Sequence, residues 1–295
     1  MMSSHELLDS ISKKIEVNDY SLGNFNINGA SSLENINENT FVFLKKNLES
    51  IKEVPSNVIV LIEDSEIASN FENYILTKNC RLAFALSLSI FNEPKTIGGI
   101  CDSSIISEKS EVHPNSSIGS FVKIDDDSSI SENVVIESHC FIGKGVFIGE
   151  GTYIKSGAKI GVQGFGFERD SENNPIRIWH SGGVNIGKYC EVGSNTIICS
   201  GTIEPTEITN FVKIDDNVHV AHNCKIGDRS MIAGCASIGG SVSIGKDVWI
   251  GPNCSIINKV SIGDRANIIL GSVVLRNIKN DTTYMKNNKA KFTIE

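Results

Sequence analysis

The sequence predicts a mainly β protein: a parallel β-helix over residues 100–275, preceded by a small α/β domain over 1–99 and followed by a C-terminal tail over 276–295. Three observations carry this. An aliphatic residue recurs at every sixth position through most of 100–275, the first 99 residues lack that period, and one long glycine- and aromatic-rich stretch, roughly 161–185, interrupts it.

In chain order, "SHELLDSISKKI" has helical spacing, with a serine cap at Ser3 or Ser4. "NVIVLIE" reads as a buried strand and "KNCRLAFALSLSIF" as an amphipathic helix feeding a linker, "NEPKT". From Ile100 the sixfold run passes through Ile106, Val112, Ile118 and onward to Ile160 without a miss; a second run is Ile186, Val192, Ile198. After an insertion, "EPTE", the third run goes from Ile208 to Ile268. A period of six fits neither a helix nor a hairpin meander. It is the hexapeptide signature of a parallel β-helix, in which three hexapeptides make a triangular coil of about 18 residues. The aliphatic residue points inward and stacks on its counterpart one coil away. This pattern resembles the left-handed β-helix. The loop at 161–185 places Phe165, Phe167 and Trp179 beside glycines, and a long loop on a rigid solenoid is a place to look for function.

Bulk properties exclude several classes. The 295-residue chain has a formal charge of −8 with both signs mixed along it, and no Lys/Arg stripe that would track nucleic acid. Its eight cysteines form no C-x-x-C pair, which points to free thiols packed as small hydrophobes rather than to disulfides or zinc. The N-terminal stretch has no apolar signal region and no run reaches the length of a membrane span. The expectation is a soluble, reduced, cytoplasmic protein with no membrane insertion and no metal.

"VHVAHNCKIGD" places His219 and His222 in the repeat. Only the first and fifth positions of each hexapeptide face inward, so both histidines should be exposed or at a subunit interface. Two surface histidines would be the plain account. The sharper one makes His222 a general base, because an imidazole titrates near neutrality and can take a proton from an attacking amine. Asp215, seven residues earlier, is the expected orienting carboxylate. Gly240 lies 18 residues after His222, hence one coil above it, where a backbone N–H can serve as an oxyanion donor.

These segments resemble those of the UDP-3-O-acylglucosamine N-acyltransferases. "NINGASSLENINENTFVFL" is similar to the opening of that family's uridine domain, "GVQGFGFERD" to its glycine-aromatic loop and "VKIDDNVHVAHNCKIGD" to its catalytic segment. The resemblance implies His222 as catalytic base, Asp215 as its partner, Gly240 as oxyanion glycine and Phe43 as the aromatic that stacks on the nucleotide base. It also implies substrate contacts from His219, Asp216, Gly164, Phe165, Gly166 and Phe167, and a homotrimer with sites between adjacent β-helices. No cofactor is held permanently; the acyl donor is an acyl-CoA or acyl carrier protein thioester, already activated without a metal. The chain departs from the family at "KKNLES", "IICSGT" and "IINKVSI", the last lacking a second family histidine. Its ending, with Lys286, Lys289 and Lys291 in "YMKNNKAKF", is similar to the tail of CoA-dependent sugar N-acetyltransferases. The expected activity is transfer of a short acyl group to the amine of a nucleotide-linked amino sugar for O-antigen or capsule. The alternatives are the lipid A enzyme itself or a non-catalytic trimeric scaffold.

Overall fold

The computed structural model describes residues 2–45, 53–92 and 99–285 and divides the chain into two compact units, Met1–Lys95 and Thr96–Glu295. The stretches 46–52, 93–98 and 286–295 lie outside the described residues, so most of "KKNLES" and "NEPKT" and the three tail lysines are not placed.

The first unit is a five-stranded sheet in the order Val17–Ser21, Tyr74–Thr77, Ile59–Ile62, Thr40–Leu44, Gly29–Ala30. The first pair is antiparallel and the rest are parallel. Helix α1 (Ser4–Ser12) starts at a full capping box, in which the Ser3 hydroxyl accepts from the Glu6 amide and the Glu6 carboxylate accepts from the Ser3 amide. Helix α2 (Ser65–Ala68) is a single turn and α3 (Cys80–Asn92) is the longest. Leu7 and Ile11 of α1 and Ala83 of α3 bury their apolar faces with Phe41, Ile59, Leu61 and Ile75 of the sheet. This is the small α/β domain the sequence predicts.

The second unit is a parallel β-helix of three sheets with ten, nine and eight strands. Strands one coil apart pair in register, as Lys123–Ile124 does with Phe141–Ile142. The sixth-position aliphatics, such as Ile124, Ile136, Ile142 and Ile148, are fully buried in one continuous column, and each contributes about 1.5–3 kcal/mol by leaving water. Ile100, at the end of the column, is half exposed. From Phe121 onward the regular corners pass through the left-handed region at a fixed place in the repeat. Phe121, Asp127, Asn133 and His139 show it, as do Asn217 and Asn223. Asn and Asp tolerate this conformation best among non-glycine residues, which explains their frequency there.

The β-helix continues past the expected boundary at 275. Val273–Val274 pairs with Ser255–Ile256, Ile278 bridges to Ile262, and Thr283–Tyr284 pairs with Asn267–Ile268. The step from Val274 to Ile278 is four residues instead of six, which breaks the sixfold count, yet Ile278 is buried and Tyr284 packs on the column. Among the described residues no helix is long and apolar enough to cross a membrane, and no cluster of three or more His, Cys, Asp or Glu is placed to hold a metal.

Candidate active site

Two insertions and His222 share one corner of the prism. Residues 163–183 leave between strands Lys159–Val162 and Val184–Ile186, and residues 200–205 leave between Ile197–Cys199 and Thr206–Ile208, one coil on. On the next coil the same corner, between His219–Val220 and Lys225–Ile226, carries His222. The column then continues 18 residues at a time through Gly240 to Asn258. The repeat therefore aligns these positions and the insertions wall them in.

The His222 ring lies directly against Gly240. A Cβ on Gly240 would sit 2.8 Å from both Cε1 and Nε2 of the ring, so any side chain there would displace the imidazole. The carbonyl of Gly239 accepts from the buried Cys224 thiol at 3.2 Å, on the core side. In a planar trans peptide the following N–H points the other way. The Gly240 N–H is thus turned outward, and it finds no acceptor among the described residues. A cleft of about 300 Å³ opens here, lined by Phe165, His219, Ala221, His222, Gly240, Ser241, Asn258 and Lys259. An imidazole and a free amide thus border one small cleft, which suits a carbonyl carbon whose oxygen becomes an anion.

The loop closes on the ring from below. A Cβ on Gly164 would meet Nε2 of His180 at 3.0 Å and Cδ2 of His222 at 3.1 Å; one on Gly166 would meet Cε1 of His180 at 2.9 Å. Phe167–Arg169 and Pro175–Arg177 form a β-hairpin whose turn is held by Asp170, which accepts from the amides of Glu172 and Asn174. Arg177 donates to the Gly164 carbonyl at 3.2 Å and lies over the rings of Phe167 (4.5 Å) and Trp179 (5.6 Å). His180 is buried, with its Nδ1 unpartnered and its ring 4.8 Å from that of His222. Its backbone is clamped by Gln163, whose amide accepts from the His180 N–H and donates to its carbonyl, both at 2.8 Å. Burial, and next the neighbouring His222, hold the His180 ring below the usual histidine range. His180 and Arg177 carry no signal in the sequence beyond their place in a long loop.

Within the single chain the expected partner of His222 is not beside it. Asp215 stands at a different corner, after strand Lys213–Ile214, and its carboxylate accepts from the Gly234 amide at 3.0 Å. The reason is the geometry of the repeat: six residues make one side, so a separation of seven reaches the next corner. The residue on His222 is Asn223, whose side-chain Nδ2 lies 3.1 Å from Nδ1 of the ring. Asp216 shares the Asp215 corner. Its Oδ1 accepts from Lys155 Nζ at 2.7 Å and from the Ser194 amide at 2.6 Å, which hold its carboxyl below the usual range. His219 is exposed on its strand and lines the cleft. Phe165 is 89% exposed at the cleft, edge-on to Phe167. Phe43 is in the first unit, half-buried, with its ring 4.7 Å from Phe84.

Residues 205–240, which include His222 and Gly240, match the bacterial transferase hexapeptide family (six repeats). Among curated proteins the chain is similar to UDP-3-O-acylglucosamine N-acyltransferases. The one from Pseudomonas syringae pv. tomato is 31% identical over 57% of this chain and 53% of the relative. The one from Coxiella burnetii (strain Dugway 5J108-111) is 31% identical over 64% and 60%, and that from Pseudomonas entomophila 30% identical over 68% and 62%. The chain thus spans little more than half the length of these relatives. Among solved structures it is similar to UDP-N-acetylglucosamine acyltransferase from Campylobacter jejuni, 26% identical, covering 61% of this chain and 68% of that one with a TM-score of 0.56.

Proposed function

We propose that this chain, a β-helix whose residues 205–240 match the hexapeptide transferase family, is an N-acyltransferase that moves an acyl group from a thioester to the amine of a nucleotide-linked amino sugar. The observation that carries the reading is the His222 ring against Gly240, whose free amide faces the same cleft. The relatives' names supply the reaction class: each is an N-acyltransferase of a UDP-linked amino sugar. An amine attacks a thioester only when neutral, and the carbonyl oxygen gains charge as it does. Gly240 N–H and the His222 ring are the groups bordering the place where that charge develops. Phe165 and His219 line the cleft where the acceptor sugar would sit. In this reading Phe43 stacks on the nucleotide base.

The donor is an acyl-CoA or an acyl carrier protein thioester. We assign a short acyl group and a surface-glycan sugar, from the likeness of the stretch "YMKNNKAKF" to a segment of sugar N-acetyltransferases. The second reading takes UDP-3-O-acylglucosamine as acceptor, which the relatives' names favour, and pairs it with a long acyl donor. A donor series separates the two. Acetyl, 3-hydroxybutyryl and 3-hydroxymyristoyl thioesters, each on CoA and on carrier protein, are offered with UDP- and dTDP-linked amino sugars, and the product is read by mass. Turnover of the shorter donors supports the first reading. Turnover of the fourteen-carbon donor alone supports the second, and no amide with any donor refutes both. The assembly that fits the reading is a homotrimer, with the cleft of one protomer covered by the next.

A further inference from the structure

The turn that carries His222, residues 221–224, touches the coil above it from two sides. On the cleft side the His222 ring lies where a Cβ on Gly240 would stand. On the core side the thiol of Cys224 donates to the Gly239 carbonyl at 3.2 Å. Cys224 is fully buried, and burial pushes its thiol up to about 11, so it keeps the proton it donates. Close approach of the coils demands both glycines. A Cβ on Gly239 would meet the Asn258 N at 2.6 Å and the Ile256 O at 2.8 Å. The peptide between them is therefore flanked by two residues without side chains, and such a peptide turns over at little steric cost. Turned over, it would put the Gly239 carbonyl in the cleft and the Gly240 N–H in the core. The peptides on either side are tied by the backbone: Gly239 N–H donates to Ile256 O and Gly240 O accepts from Lys259 N–H, both at 2.9 Å. Among the described residues, the peptide between them has only the Cys224 bond.

We infer that Cys224 is a positioning residue whose thiol holds the Gly239–Gly240 peptide with its carbonyl toward the core and its amide toward the cleft, where that amide can meet a carbonyl oxygen gaining charge. The inference rests on the acyl-transfer reading and adds to it a residue that touches no substrate. The bond lies inside the prism, so it is complete within one chain whatever covers the cleft. It is one use of a device the solenoid repeats. Four residues after an inward aliphatic, Ser128 donates to the Gly143 carbonyl at 2.9 Å, Cys190 to that of Thr209 at 2.9 Å and Ser230 to that of Gly245 at 2.8 Å. At those corners the bond satisfies a carbonyl. At this one it also decides which end of the peptide faces the cleft.

The chain itself supplies the variants that test this. Val242 fills the same place one coil above, buried, so C224V removes the donor where a valine fits. C224S keeps a donor, since serine makes this bond at 128 and 230. C190V removes the same bond at a corner that carries no part of the cleft. Steady-state kinetics of the full chain on an amino-sugar nucleotide and an acyl thioester are paired with crystal structures of the wild type and C224V. In C224V kcat should fall about tenfold, the worth of one hydrogen bond, with KM little changed. C224S should recover most of the loss and C190V should keep the wild-type kcat. The C224V crystal should show the Gly239 carbonyl turned, wholly or in part, into the cleft. A wild-type kcat in C224V, an equal loss in C190V, no recovery in C224S or an unturned peptide in the crystal each overturns the inference. If the wild type forms no amide with any donor, the acyl-transfer reading fails instead, and the crystal still decides whether the thiol holds the peptide.

Discussion

A methyl group on Gly240 would lie 2.8 Å from two atoms of the His222 ring, and this is the tightest constraint on the cleft. G240A should push the imidazole aside while leaving the solenoid folded, since the residue adopts no left-handed φ and its carbonyl still accepts from Lys259 N. The expected result is a kcat loss of about 100-fold, the size seen when an oxyanion donor is displaced, with an unchanged thermal transition by circular dichroism. Wild-type turnover in G240A would remove this glycine from the account. His222 and Gly240 were legible in the sequence because both sit in a column that repeats every 18 residues. Within one chain Asp215 does not reach His222, because a seven-residue step turns a corner. Asn223 was invisible as a partner: its clamp to Thr202 joins residues 21 apart across an insertion, which no periodicity reports.

The glycine-aromatic loop is the element that decides whether the corner is a site or a bare turn. The sequence marked it as an insertion, but not its hairpin, the Arg177 contacts or the buried His180, because these depend on how the loop folds back. His180 gives the element a pH signature. Its folded ring sits below the usual histidine range while the unfolded chain titrates near about 6.5. As pH falls through that value the unfolded state binds a proton that the folded state refuses, so stability is lost toward acid. Between about pH 7.5 and about pH 5.5 the wild type should lose more thermal stability than H180F, whose ring cannot titrate. The Gln163 clamp uses only backbone atoms of His180, so it survives the substitution. Equal losses in the two proteins would show that His180 does not titrate between the folded and unfolded states.

For the molecule as a whole, the β-helix was the most legible part, because burial of one aliphatic per side makes the period visible wherever the prism is regular. It ceased to be visible at the shortened turn before Ile278, where the solenoid continues and the count does not. A prism that uses its corner as a site leaves that cleft open on one side, and the trimer proposed here covers it. Sedimentation equilibrium at micromolar concentration should return three times the 32.0 kDa chain mass; a single-chain mass would require the cleft to work uncovered. The central claim, acyl transfer at the His222–Gly240 corner, is tested most directly by comparing wild type with H222A on an amino-sugar nucleotide and an acyl thioester, reading the N-acyl product by mass. The account predicts amide and free thiol from the wild type and a rate at least about 100-fold lower in H222A, with both proteins equally folded. Equal rates in the two would contradict it.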